Sequence, residues 1–157
     1  MKKKIIWLLC LFMLSLPLFA QMSKMEMQNM YLTYMRGQGI EAMVDSDGDI
    51  AFEYDLSNYG TFIFYIIIFE DDPQFFHILT IDVLSQALVN DQQRREVSEA
   101  VIYATGIAKA VKMYLNSSGT NVWASGEVFL ASPNGFSFVF PKIMAEFAAA
   151  FDAFVGY

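Results

Sequence analysis

The chain has 157 residues, a length that fits one domain able to bury a core without disulfides or metals. Its formal net charge is −7, with 17 acidic side chains against 10 basic ones, which argues against nucleic acid and disfavours an anionic membrane surface as partners. Hydrophobic residues make up 55% and aromatics 16%, more than a soluble domain requires, and part of that excess lies at the N-terminus.

Met1-Lys2-Lys3-Lys4 is a basic start, Ile5 to Phe19 is an apolar run broken by Ser15 and Pro17, and Ala20-Gln21 is a small-residue exit. That order predicts a secretory signal peptide over residues 1–20, cleaved after Ala20, although Leu18 fits the small-x-small rule poorly. The run is shorter than the roughly 18 residues of a spanning helix, so a cleaved signal is expected rather than a retained anchor. Cys10, the only cysteine, sits inside the run with no small residue before it, which argues against a lipid anchor there. Cleavage leaves residues 21–157 without cysteine, and 7 Lys and Arg against 17 Asp and Glu give −10. The expected location is periplasmic or secreted, with no stable membrane anchor, and the core alone must hold the fold.

Residues 22–38 read as a helix. Ser23 and Glu26 have capping-box spacing, Met27, Met30, Tyr31, Tyr34 and Met35 make an apolar stripe, and Gly37 and Gly39 end it. Ile40 to Asp45 and Asp49 to Asp55 predict a hairpin turning at Ser46-Asp47-Gly48. The acids Asp45, Asp47 and Asp49 suggest calcium, but counting from Asp45 the sixth and twelfth positions are Ile50 and Leu56, where an EF-hand needs glycine and an acid. A solvated turn is the expectation.

Thr61 to Val83 predicts two long strands joined at Asp71-Asp72-Pro73-Gln74. Phe62, Phe64, Ile66 and Ile68 alternate with Ile63, Tyr65, Ile67 and Phe69, so both faces of the first arm are apolar. That pattern predicts a central strand covered on both sides. Asn90 or Asp91 caps a second helix to about Lys109, with Val97, Val101, Ala104, Ile107, Ala108 and Val111 on its inner side and the Arg94-Arg95 doublet outside. Val111 to Asn116 and Asn121 to Ala131 predict a last hairpin, within which Gly126 signals a bulge or a close backbone approach. A final helix follows, with Pro141 at its start or kinking it and Ile143, Phe147, Phe151 and Phe154 on one apolar face.

Catalytic and metal chemistry find little to build on. His77 is the only histidine and shares a face with Leu79 and Ile81, a structural placement, although Asp72 and Asp82 lie near it in sequence. No serine elbow occurs, and with one histidine and no mature cysteine a His/Cys metal cluster cannot form. Two-carboxylate chemistry has 17 acids to draw on, but nothing in the spacing selects a pair. The expectation is a non-enzyme without cofactor or metal.

The reading is thus α+β: an antiparallel sheet of about six strands with helices packed against it, in the order α-β-β-β-β-α-β-β-α. It forms one domain over residues 21–157. In that arrangement the chain resembles the YbjN family, a group described as candidate bacterial sensory transduction regulators. The resemblance rests on the opening helix, the turn and strand in VDSDGDIAFEY, the hairpin with FEDDPQFFHI, the helix leading into AKAVKMYL, then WASGEVFL and the closing amphipathic helix. It implies a fold like that of type III secretion chaperones, often paired as dimers, and it brings no catalytic residue set. The signal peptide departs from the family's usual cytoplasmic members and puts an intracellular regulatory role in doubt.

The function expected is an exported protein-binding, chaperone-like or regulatory module of the bacterial cell envelope, homodimeric and with an unknown protein partner. Its candidate interaction surface is Trp123, Phe129, Phe147, Phe151 and Phe154. The competing expectation is a periplasmic small-ligand-binding protein or carboxylate-dependent hydrolase, which requires a concave pocket with converging polar groups.

Overall fold

A computed structural model describes residues 22–157; the signal peptide expected over residues 1–20, with Cys10, lies outside the described residues. Three helices and six strands follow in the expected order: α1 (Lys24–Gly37), β1 (Ala42–Val44), β2 (Ile50–Asp55), β3 (Thr61–Ile68), β4 (Phe75–Thr80), α2 (Asp91–Ile107), β5 (Val111–Leu115), β6 (Val122–Phe129) and α3 (Phe136–Val155). The strands form one antiparallel sheet in the spatial order β1-β2-β3-β4-β6-β5. Four strands meander, α2 carries the chain to the far edge, and the last hairpin returns β6 to pair with β4.

Local chemistry sets the element ends. The Ser23 hydroxyl accepts from the Glu26 N–H at 3.3 Å while the Glu26 carboxylate accepts from the Ser23 N–H at 2.8 Å, a complete capping box. In the first hairpin Asp45 Oδ1 accepts from the N–H groups of Asp47 and Asp49 at 3.0 and 2.9 Å. Gly48 takes φ +82°, which the tight turn requires. Asn90 caps α2, its side chain accepting from Gln93 N–H at 2.9 Å. Pro141 lies inside α3 and removes the N–H that would bond Ser137 four residues earlier; the Tyr34 hydroxyl donates to that Ser137 carbonyl instead, at 3.4 Å.

All three helices pack on one face of the sheet. Its inward residues are Ile50 and Phe52 of β2, Phe64, Ile66 and Ile68 of β3, Phe76 and Ile78 of β4, and Val122, Ala124 and Val128 of β6, all buried. Against them lie Met27, Tyr31 and Met35 of α1 and Phe136, Phe140, Ile143, Met144, Phe147 and Phe151 of α3. Aromatic rings knit the layers, with Tyr31 stacked on Phe136 at 3.8 Å and Phe64 edge-on to Phe147 at 5.1 Å. The β4–β6 and β5–β6 registers run through Gly126 without a bulge, so the glycine serves a close approach: Ile143 of α3 occupies the space a side chain would fill.

Two expectations change here. The central strand β3 is covered on one side only: Phe64, Ile66 and Ile68 are buried, while Ile63 is exposed and Tyr65 and Ile67 are half-buried. On α2, Ala100, Val101 and Ala104 face inward while Ile107, the last residue of the helix, is exposed, and Val111 is buried in β5 instead of on the helix.

Candidate functional site

The uncovered face of the sheet is the candidate site. An antiparallel sheet with one face in water ordinarily alternates apolar inward with polar outward. Here the outward positions of β3 and β4 are Ile63, Tyr65, Ile67, Phe75, His77 and Leu79, and Trp123 and Phe129 of β6 continue the surface. Met43 of β1, Ile63 and Phe129 stand 67%, 52% and 60% exposed, and Tyr114 of β5 and Phe69 after β3 are exposed too. Contiguous exposed apolar surface of this kind marks an interaction site, whereas the exposed Ile102 and Tyr103 on α2 sit outside it.

Register fixes how the face is laid out. Met43, Ala51, Tyr65, Leu79, Ser125 and Lys112 form one row across all six strands. Beside it Ile67, His77 and Glu127 form a second row, and Phe75 and Phe129 pair in a third. His77 Nε2 lies 3.5 Å from Glu127 Oε1, and the imidazole meets the rings of Phe69 and Phe75 edge-on at 5.2 and 5.5 Å. Its acidic neighbour is therefore the cross-strand Glu127 rather than Asp72 or Asp82. The other strand charges on the face are Glu53 and Asp55 on β2 and Lys112 on β5, and Arg36 and Glu41 lie near Glu53 at the β1 corner.

Small Ala51 between Met43 and Ile63 leaves a groove of about 550 Å³ at the β1 corner, rimmed by Arg36, Glu41 and Glu53. A second depression of about 420 Å³ lies between α1 and the start of α3, lined by Asn29, Thr33, Tyr34, Asn134 and Ser137 among others. Among the described residues no group of three or more His, Cys, Asp and Glu side chains is placed to hold a metal ion.

The structure divides the five residues predicted for an interaction surface. Phe129 is exposed on the open face and Trp123 is half-buried there beside Tyr114, with ring centroids 6.3 Å apart. Phe147 and Phe151 lie in the core against Phe64 and Phe62, so neither presents a surface. Phe154 is half-buried, packed against the same core and away from the open face. Sequence reasoning missed Met43, Ile63 and Tyr114 as surface residues. The alternation along β3 carried the signal, since Ile63, Tyr65 and Ile67 share one side, but it read as a second buried face.

The architecture defines an α+β protein with a one-sided antiparallel sheet. No protein-family model matches the sequence, and no curated protein matches it. Among solved structures the fold is similar to the crystal structure of YbjN from E. coli, described as a candidate transcription regulator, with a TM-score of 0.56 at 7% identity over 75% of this chain and 83% of that chain. At that identity the likeness is one of fold, and a YbjN-like fold is what it shows.

Proposed function

We propose that this domain is an exported, non-enzymatic protein-binding module of the bacterial cell envelope, chaperone-like or regulatory in kind, that docks a protein on the open sheet face. The observation that carries the reading is the face itself: apolar side chains at the outward positions of its central strands, with every described helix on the opposite side. The likeness in fold to a candidate transcription regulator agrees with a binding or regulatory role. The acidic balance of the chain weighs against nucleic acid as the partner and keeps an apolar-faced domain soluble.

Affinity purification of the tagged protein from its own envelope fraction, compared with the Ile63→Asp and Phe129→Asp variants, tests the reading. Both side chains are exposed, so the substitutions leave the core intact. A partner recovered with the parent protein and lost with both variants is the expected result. Equal recovery with all three would move the contact off this face. N-terminal sequencing of the recovered protein should begin at Gln21; a chain starting at Met1 in the cytosolic fraction would overturn export.

A further inference from the structure

We infer that the free edge of β1 docks an extended segment of a partner protein, one that carries basic side chains on either side of an apolar one and pairs with β1 as an added strand. The inference rests on the reading of the open face as a docking surface and states how a partner's chain is held there.

The sheet ends in β1 on one side and β5 on the other, and the chain treats these two edges differently. In an antiparallel pair the backbone groups of successive residues turn alternately toward the neighbouring strand and away from it. At β5 the bond from the Asn116 N–H to the Asn121 carbonyl, 2.9 Å, sets that alternation and turns Met113 outward. Thr105 of α2 closes the position: its hydroxyl accepts from the Met113 N–H and donates to the Met113 carbonyl, both at 3.0 Å. At β1 the bond from the Asp45 N–H to the Asp49 carbonyl, also 2.9 Å, turns Ala42 and Val44 outward by the same rule. Their N–H and C=O groups have no hydrogen-bond partner among the described residues, and Val44 is 43% exposed. Unpaired backbone groups in line along an edge are a template for another strand.

The side chains around that edge define what it takes. The groove at the β1 corner lies beside it, with Met43, Ala51 and Ile63 as an apolar floor and Arg36, Glu41 and Glu53 on the rim. A strand added about 4.8 Å beyond β1 sets one side chain next to Met43, and its neighbours two residues away next to Glu41 and Asp45. Asp47 and Asp49 continue the acidic charge around the hairpin. The cations nearby are Arg36 and Lys24, whose Nζ reaches the Gly48 turn, and none of these groups is in an ion pair among the described residues. Acid in excess selects a segment reading basic-x-apolar-x-basic, with small or β-branched residues beside Ala42 and Val44. A second copy of β1, centred on Met43, would instead bring Glu41 against Asp45, and like charges disfavour it as the occupant.

The test is a titration of the isotope-labelled exported protein with a capped peptide, Lys-Val-Leu-Val-Lys, followed by amide resonances. Binding with a Kd on the order of 0.5 mM is expected, with the Ala42 and Val44 amides moving most and gaining protection from exchange. Val44→Pro removes an outward N–H that no described residue uses, so Tm should change by less than about 2 °C while binding weakens at least about tenfold. Glu41→Lys together with Glu53→Lys should weaken binding by about three- to tenfold, and exchanging the peptide's lysines for glutamates should abolish it. No shift at about 5 mM peptide, shifts confined to other strands, or a folded Val44→Pro protein that binds as well as its parent overturns the edge site. So do Ala42 and Val44 shifts that follow protein concentration without peptide, which would make the occupant a second copy. If the peptide fails while Phe129→Asp still loses an envelope partner, the edge site falls and the docking face stands. If the peptide fails and neither Phe129→Asp nor Ile63→Asp loses a partner, both fall.

Discussion

Replacing Gly126 with alanine places a methyl group where α3 crosses β6. An ideal Cβ there lies 2.8 Å from Ile143 Cδ1, 3.2 Å from Ile143 Cγ1 and 3.3 Å from the carbonyl oxygen of Ala110. The end of Ile143 can rotate, but it is buried among close-packed neighbours, and the Ala110 carbonyl is backbone. Overpacking of this kind costs about 1–3 kcal/mol. Removing a glycine from the unfolded chain offsets about 0.4–1 kcal/mol of that, because Gly126 has no positive φ and its backbone suits alanine. The net expectation is a loss of about 1.5 kcal/mol. With unfolding entropy of about 2.1 cal/mol/K per residue over about 136 residues, that lowers Tm by about 5 °C. Urea denaturation checks the free energy directly. Ile143→Val removes the Cδ1 atom and alone should lose about 1 kcal/mol. Combined, the two substitutions should lose about 1 kcal/mol less than their sum, because the valine makes room for the new methyl. A Gly126→Ala protein as stable as its parent, or losses that simply add, would refute the close approach.

Tyr31 is fully buried, and its hydroxyl has no hydrogen-bond partner among the described residues, so Tyr31→Phe should leave stability unchanged or raise it by up to about 1 kcal/mol, measured by urea midpoint. Burial also pushes the Tyr31 phenol well above its ordinary range, so above about pH 10 the folded chain holds more protons than the unfolded one. Stability is therefore full below that pH and falls as pH rises; the fall should be shallower in Tyr31→Phe, and parallel pH profiles would contradict the assignment. Asn121 accepts from the N–H groups of Leu84 and Val122 and donates to the Leu84 carbonyl, tying the segment before α2 to β6. Asn121→Ala should cost about 2 kcal/mol and speed protease cleavage around residues 84–89, which mass mapping of the fragments would locate. Phe147→Ala removes a ring from the centre of the core and should cost about 4 kcal/mol in thermal or urea unfolding, whereas Phe129→Ala on the open face should change stability by less than about 0.5 kcal/mol.

Most of the architecture was legible because its signals are local. Ser23 and Glu26 specify the start of α1 by hydrogen bonds that span three residues. The Asp47-Gly48 turn and the strand alternation in Thr61–Ile68 need only neighbours in sequence, and both predicted their elements. Strand β1 is shorter than Ile40 to Asp45 suggested, since Gly39 at φ +76° and the residues after it are spent turning the chain out of α1. The pairing of His77 with Glu127 joins residues fifty positions apart, and only the placement of β6 beside β4 creates it. For Gly126 the sequence left open a bulge or a close approach, and the packing of α3 chose between them.

By itself the sequence determined the α+β class, the order of elements, the inward stripes of α1 and α3 and the division of each strand into two faces. Periodicity and capping are properties of the chain within a turn or two. Only the tertiary structure decided which faces are covered. An apolar face records that a surface avoids water, not what shields it, and Ile63 and Ile66 carry the same side chain on opposite sides of one strand. The β4–α2–β5 crossover returns the chain to the side where α1 already lies, and α3 joins them there. Phe147 thereby became core and Phe129 surface, and the apolar outer face of β3 was left uncovered by the described helices.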